Sequence, residues 1–447
     1  MDRVKIALEN ATQTKALLLG KGVLSSIATL FKEQFPGKRA IIVADTTTYK
    51  VAGEAVYHFL QEGGVEQDAP FIFNDPDMHA EWKFIERLDV HLATTDAIPV
   101  AVGSGTINDT TKLSSFHTDR RYMIVATAAS MDGYTAFGAS ITKDGAKQTF
   151  ACPAPQALVA DIDIIATAPE DMTASGFGDL FAKVPAGADW IIADGLDVEP
   201  IDDLAFSIVQ DGLQEALSDP VGARNGDREA LSRLIEGLLL GGFAMQAYPK
   251  SSRPASGAEH QFSHLWNMQN HVMENGVTPS HGFQVSIGTL VSLAFYEELM
   301  KSDMKAIDID ACVAAWPTLE EAEAKAIEMF KGTDFPMIGA TEIKAKYISH
   351  DELREQLTLL VKNWDGIKER LSKQLVSVSE AVKRLDAVGA PTKPEQIGIS
   401  RKRLRDSIIE SQHIRRRFTI LDLAIRACKI DEWTNNIFGK EGVWPID

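Results

Sequence analysis

Four of the ten histidines fall between residues 260 and 281. Three of them lie in two short runs, Pro254-Ala-Ser-Gly-Ala-Glu-His260-Gln-Phe-Ser-His264 and Pro279-Ser-His281-Gly-Phe-Gln284. A divalent metal kept open for catalysis takes about three protein ligands, and imidazole mixed with carboxylate suits zinc, nickel or iron. His260 and His264 are one helical turn apart and can face one site. His281 precedes a helical run, a rigid place for a ligand. Asp179, in Gly176-Phe-Gly-Asp179-Leu-Phe-Ala-Lys183, offers a hard oxygen beside glycines that permit close approach. Taken singly, a histidine is more often structural and Asp179 serves equally as a helix cap. The clustering is what points to a metal: one carboxylate and two histidines leave a coordination position open and a third histidine for substrate.

A second set of residues suits a dinucleotide. The apolar run Ile98–Val102 enters Gly103-Ser-Gly-Thr-Ile-Asn-Asp109, and a helical pattern continues through Thr111, Lys112 and Leu113. Glycines let backbone approach a pyrophosphate, and the N–H groups opening a helix bind it. The run lacks the third glycine of a full dinucleotide fingerprint, so a plain strand-to-helix turn is the competing reading. Two more strand ends favour the cofactor. One carries Thr127-Ala-Ala-Ser130-Met-Asp132-Gly133, and another ends at Asp45, whose carboxylate would accept ribose hydroxyls and repel a 2′-phosphate, favouring NAD over NADP.

The elements that must position these residues change character along the chain. Arg39–Asp45, Ala69–Phe73, Ala97–Val102 and Arg121–Thr127 read as buried strands, with helical periodicity over Lys50–Glu62 and Met78–Thr94. This alternation predicts an α/β domain with a parallel sheet over residues 1–168. Beyond it, Asp203–Leu217, Arg228–Gln246, Ser286–Lys301, Leu319–Lys331, His350–Leu385 and Ser400–Cys428 have apolar residues three and four apart, predicting an all-α C-terminal domain over 169–447.

Composition bounds the function. The 447 residues carry 63 acidic against 45 basic side chains, a formal charge of −18, which argues against a general nucleic-acid binder. The basic run Arg401 to Arg417 is broken by Asp406 and Glu410 and reads as a solvated or dimer-contacting helix face. No run approaches the ~18 apolar residues of a membrane span. Three cysteines far apart in sequence fit neither a disulfide framework nor a thiolate metal site, and a reducing cytoplasm is the expected location.

The motifs together resemble the glycerol-1-phosphate dehydrogenase family, in the superfamily of glycerol dehydrogenase, iron-containing alcohol dehydrogenases and dehydroquinate synthase. The matching pieces are Gly103–Asp109, Thr127–Tyr134, Met172–Asp179, Ser252-Arg-Pro-Ala-Ser-Gly-Ala-Glu-His260, Phe262–His264, His281–Val285 and Arg417–Leu423. The Ser252–His260 run is the most specific. The resemblance implies a Rossmann-like N-terminal domain, a dehydroquinate-synthase-like helical domain, and an NAD(P)- and metal-dependent oxidoreductase of phospholipid metabolism. Its reaction would interconvert dihydroxyacetone phosphate and sn-glycerol 1-phosphate. By the same carry-over, Asp179, His260 and His281 hold one divalent metal (zinc, nickel or iron). Asp132, Asp179 and His264 touch substrate, and Asp179 and His264 are catalytic. Gly103, Ser104, Gly105, Thr106, Ile107, Thr127, Ala128, Ala129 and Ser130 line the cofactor. The serine that family members usually carry a few residues after the Asp-Gly pair is absent from Asp132-Gly-Tyr-Thr-Ala136, so its cofactor contact is lost or taken over by Thr135; charge and proximity to the motifs make Arg253 or Lys183 a candidate for the substrate phosphate. A homo-oligomer is expected. The alternatives are a glycerol or other polyol or alcohol dehydrogenase, or a dehydroquinate-synthase-like lyase without net NADH turnover.

Overall fold

The computed structural model describes residues 3–76, 78–144 and 146–446. It holds two compact units. The first draws on residues up to Leu180 with Ser207–Ser252 and Ala387–Gly389. The second comprises Phe181–Phe206, Arg253–Asp386 and the chain from Ala390 onward.

The first unit is built on a six-stranded sheet in the order β1-β8-β5-β4-β2-β3, every pairing parallel. Its strands are β1 (Ala16–Gly20), β2 (Ala40–Asp45), β3 (Phe71–Phe73), β4 (Ile98–Gly103), β5 (Met123–Ala126) and β8 (Ala157–Asp161). Between β5 and β8 runs an antiparallel hairpin of β6 (Ala139–Lys143) and β7 (Ala146–Phe150). The continuous apolar runs of β2, β4 and β5 are what a sheet covered on both faces requires. Val43, Val100, Val102 and Val125 are fully buried there.

Chain order and sheet order together locate a binding crevice. From β2 the chain moves outward to β3, and from β4 it moves the other way, to β5. Adjacent strands whose connections diverge leave a gap at their carboxyl ends, where α/β sheets take their ligands. Those ends are Asp45 and Gly103.

The described part of the second unit is helical. The helices that matter below are Lys183–Gly195, Ala258–Met268, His281–Lys301, Arg401–His413 and Ile420–Arg426. The helical runs expected over His350–Leu385 and Ser400–Cys428 are each two helices. The first breaks after Gln374, where the Ser377 hydroxyl accepts the Glu380 N–H at 3.2 Å and caps the Val378–Val388 helix. The second breaks before Thr419, which forms a capping box with Asp422. Among the described residues no helix is long and apolar enough to cross a membrane.

Candidate active site

At the mouth of β4 the chain turns through Ser104 into the Gly105–His117 helix. Gly103 packs tightly on Ile107, whose side chain a Cβ would meet at 2.6 Å. Gly105 is different. A Cβ there would meet only the flexible Met131 side chain, at 3.5 Å, so nothing in the chain's own packing demands a glycine. A backbone kept bare at the start of a helix, whose first N–H groups have no intrahelical partner, fits a pyrophosphate. Thr127 follows β5 alongside it and donates its N–H to the Gly103 carbonyl at 3.1 Å. Asp45 ends β2 as the cap of the next helical turn, its Oδ1 accepting the N–H groups of Thr47 and Thr48, both at 2.8 Å.

The segment from Thr127 to Gly138 has no regular secondary structure, yet half-buried or buried residues fill it. The Glu170–Phe181 helix rests directly on it. A Cβ on Gly176 would lie 1.9 Å from the Ala129 carbonyl oxygen, so only glycine lets the two backbones meet. Three residues on, Asp179 is fully buried, and its Oδ2 accepts the Asp132 N–H at 3.0 Å. Asp179 is thus tied to the loop that bears the other acidic candidate. Thr135 does not look toward a cofactor: its hydroxyl donates to the Leu239 carbonyl at 2.7 Å and its carbonyl accepts from Gln246.

In the second unit, the Ala258–Met268 helix carries His260 and His264 one turn apart, with ring centroids 6.5 Å from each other. His281 opens its own helix, capped by Ser280, and its ring centroid is 5.3 Å from that of His260. Each of these two rings has its Nδ1 engaged. The buried Glu259 carboxylate accepts from His260 Nδ1 at 2.8 Å, and Ser263 Oγ meets His281 Nδ1 at 3.1 Å. The ligand nitrogen each ring would offer is therefore Nε2, the arrangement in which outer groups fix the orientation of metal-binding imidazoles. Glu259 lies within the Ser252–His260 run, and the signal that marks it is an acidic residue adjoining a candidate ligand histidine.

The second unit thus brings two imidazoles together, each oriented by a partner of its own, a pair that with one added carboxylate fits a divalent cation of the zinc, nickel or iron type. His271, the fourth histidine of the cluster, is used elsewhere, with Nε2 on the Ile397 carbonyl at 2.6 Å and Nδ1 facing Arg403 at 2.8 Å. Replacing Glu259 by glutamine should weaken metal binding by about tenfold, the lower end of what loss of such an outer partner costs. Competition with a chromophoric chelator measures it, and an unchanged affinity would deny Glu259 this role.

Beneath Glu259, Asp189 accepts the Ala258 N–H at 2.7 Å, the Ile420 N–H at 2.8 Å and the Tyr296 hydroxyl at 2.6 Å. Burial raises its carboxyl to about 7, with the Glu259 charge adding to the shift. These bonds fix the start of the histidine-bearing helix. Arg253, a candidate for the substrate phosphate, has another job. It is fully buried, with Nε on Glu199 at 2.8 Å and a terminal nitrogen on the Phe418 carbonyl at 2.8 Å, and so fastens the C-terminal segment. Three cations of the basic run are also paired within the chain. Arg401 pairs with Glu395, Lys402 with Asp406 and Arg416 with Glu342.

A glycerol-1-phosphate dehydrogenase [NAD(P)+] of Halalkalibacterium halodurans is 30% identical over 385 residues, 85% of this chain and 84% of that one. The chain belongs to the glycerol-1-phosphate dehydrogenase family. Family members from Bacillus subtilis, 31% identical over 67% of this chain and 77% of theirs, and from Pyrococcus horikoshii, 31% over 62% and 77%, match as well. The family model for iron-containing alcohol dehydrogenase matches residues 18–169. Among solved structures, a probable glycerol dehydrogenase from Sinorhizobium meliloti 1021 shares the fold at a TM-score of 0.59 and 18% identity, covering 96% of this chain and 99% of that one. The resemblance read from the motifs and the α/β-then-helical fold class therefore both hold.

Proposed function

We propose that the protein is a metal-dependent NAD(P)H oxidoreductase interconverting dihydroxyacetone phosphate and sn-glycerol 1-phosphate. The observation that carries this reading is the pair of imidazoles His260 and His281, ring centroids 5.3 Å apart, with Glu259 and Ser263 on their Nδ1 atoms. It is supported by the bare glycine turn at the crevice of the sheet and by the activity that the relatives' names state. When bound, the metal supplies Lewis acidity toward a carbonyl oxygen and the nicotinamide supplies hydride.

The chain's own residues have distinct parts in this reading. Asp179, His260 and His281 hold the cation. The Gly103–Ile107 turn binds the pyrophosphate through backbone N–H groups, with Thr127 to Ser130 beside it. Asp45, anchored by its own cap, accepts a ribose hydroxyl, which makes NAD the preferred nucleotide. The Asp132 carboxylate orients a substrate hydroxyl, and the His264 imidazole passes a proton to the carbonyl oxygen as hydride reaches the carbon. Residues 1–168 then serve the nucleotide and 169–447 the metal and substrate. A homo-oligomer in the cytoplasm belongs to the same reading.

The test is NADH oxidation against dihydroxyacetone phosphate, dihydroxyacetone and simple aldehydes. The phosphorylated ketone should be preferred. Preference for an unphosphorylated ketone or aldehyde would make this a polyol or alcohol dehydrogenase, and turnover without net NADH loss would make it a lyase. Replacing His264 by alanine should cut kcat by about 10²-fold and remove one limb of the pH–rate profile. An unaltered profile would take the proton relay away from His264.

A further inference from the structure

The ammonium of Lys112 is buried where no substrate or cofactor role has been given to it. Its side chain is 0% exposed, two turns into the helix that starts at Gly105. The Nζ donates to three backbone carbonyls of one segment: Gly133 at 3.0 Å, Ala136 at 2.9 Å and Gly138 at 3.0 Å. An ammonium has three donors, and all three are accounted for within six residues of chain. Asp109, one turn earlier and 3.6 Å from the ammonium, accepts the Ser140 N–H at 3.0 Å on its other oxygen. The two side chains thus bind four backbone groups between residues 133 and 140.

This is an expensive arrangement without a purpose and an economical one with it. A buried ammonium is tolerated only when fully hydrogen-bonded, and an irregular buried segment must find donors for its carbonyls. Lys112 answers both demands at once. The segment it fastens begins beside Asp132, whose N–H meets Asp179 at 3.0 Å. Tyr134 adds a bond from its hydroxyl to the Ala128 carbonyl at 2.8 Å, within the same loop.

We infer that Lys112 is a positioning residue, whose buried ammonium sets the course of residues 133–138 and thereby the placement of Asp132 against Asp179. It links the helix that opens at the nucleotide turn to the loop bearing the substrate carboxylate, and it contacts neither ligand. The functional consequence rests on the roles proposed for Asp132 and Asp179; the structural one does not.

The experiment compares the full-length protein with Lys112→Met, which keeps the length and apolar stem and removes every donor. Hydrogen exchange without metal or substrate should quicken by at least about tenfold in residues 131–138, with residues 98–103 and 157–161 as before. NADH affinity, read by fluorescence, should stay within about twofold. With dihydroxyacetone phosphate, KM should rise by about tenfold while kcat falls less. Lys112→Gln, with two N–H donors, should give intermediate exchange, and it carries the same comparison if Lys112→Met does not fold. Unchanged exchange in residues 131–138, or a loss of protection spread evenly over the sheet, would overturn the inference. Faster loop exchange with an unchanged KM would leave the positioning standing and remove Asp132 from the substrate site.

Discussion

Asp179→Asn should lose its metal and about a thousandfold in kcat/KM, the equivalent of ~4 kcal/mol of transition-state stabilisation. The substitution keeps the shape of the side chain and an oxygen to accept the Asp132 N–H, now 3.0 Å from Oδ2. It removes the one anionic member of the ligand set proposed with His260 and His281. A fold change is therefore not the expected cause of the loss, and a thermal transition within a few degrees of the parent's would show as much. Elemental analysis and steady-state kinetics on the same preparation decide it. Retained metal with full turnover would exclude Asp179 as a ligand.

Gly176→Ala should be the most damaging single-methyl change in the first unit. The added Cβ would stand 1.9 Å from the Ala129 oxygen, 2.7 Å from its carbonyl carbon and 3.1 Å from the Ser130 Cα. All three are backbone atoms, so no side chain can swing aside, and the helix or the loop must shift. Overpacking of this kind costs about 1–3 kcal/mol, and here the strain falls on the loop assigned to the cofactor and on the helix that carries Asp179. The expected result is a lowered melting temperature together with NADH affinity weakened by about tenfold or more. Gly105→Ala is the contrast. With only Met131 at 3.5 Å to meet, it should leave the melting temperature unchanged while still weakening NADH binding, because the methyl would fill the space proposed for the pyrophosphate. Equal melting temperatures for Gly176→Ala and the parent would mean the close approach is not obligatory. Undiminished NADH binding by Gly105→Ala would move the cofactor away from this turn.

What could be read from the sequence follows from how local the signals are. The strands β2, β4 and β5 are runs of branched aliphatic residues whose burial on both faces leaves a plain trace. β1 is Ala-Leu-Leu-Leu-Gly and β8 is Ala-Leu-Val-Ala-Asp, compositions a helix would carry as well, so the local pattern marks neither as a strand. Parallel pairing of β8 with β5, and of β1 with β8, makes them strands, a tertiary decision. Helix breaks near Ser377 and Thr419 depend on a hydroxyl choosing to cap, which periodicity does not report.

The site divides in the same way. His260, His264 and His281 stood out because rare residues clustered, and Asp179 because glycines flanked it. The use of Arg253 did not show, since an arginine beside a motif looks the same whether it grips a phosphate or, as here, Glu199 and the Phe418 carbonyl. Lys112 gave no hint of burial, because a lysine at the C-terminal side of a glycine turn is ordinarily taken as exposed. Its partners are carbonyls, and carbonyls have no sequence signature.

The most direct test of the account is a metal titration of chelator-stripped protein, with NADH oxidation by dihydroxyacetone phosphate as the readout. Turnover should be near zero without metal, should rise with added zinc, nickel or iron, and should saturate at one equivalent per chain. Full turnover in the stripped protein would contradict a catalytic metal at Asp179, His260 and His281.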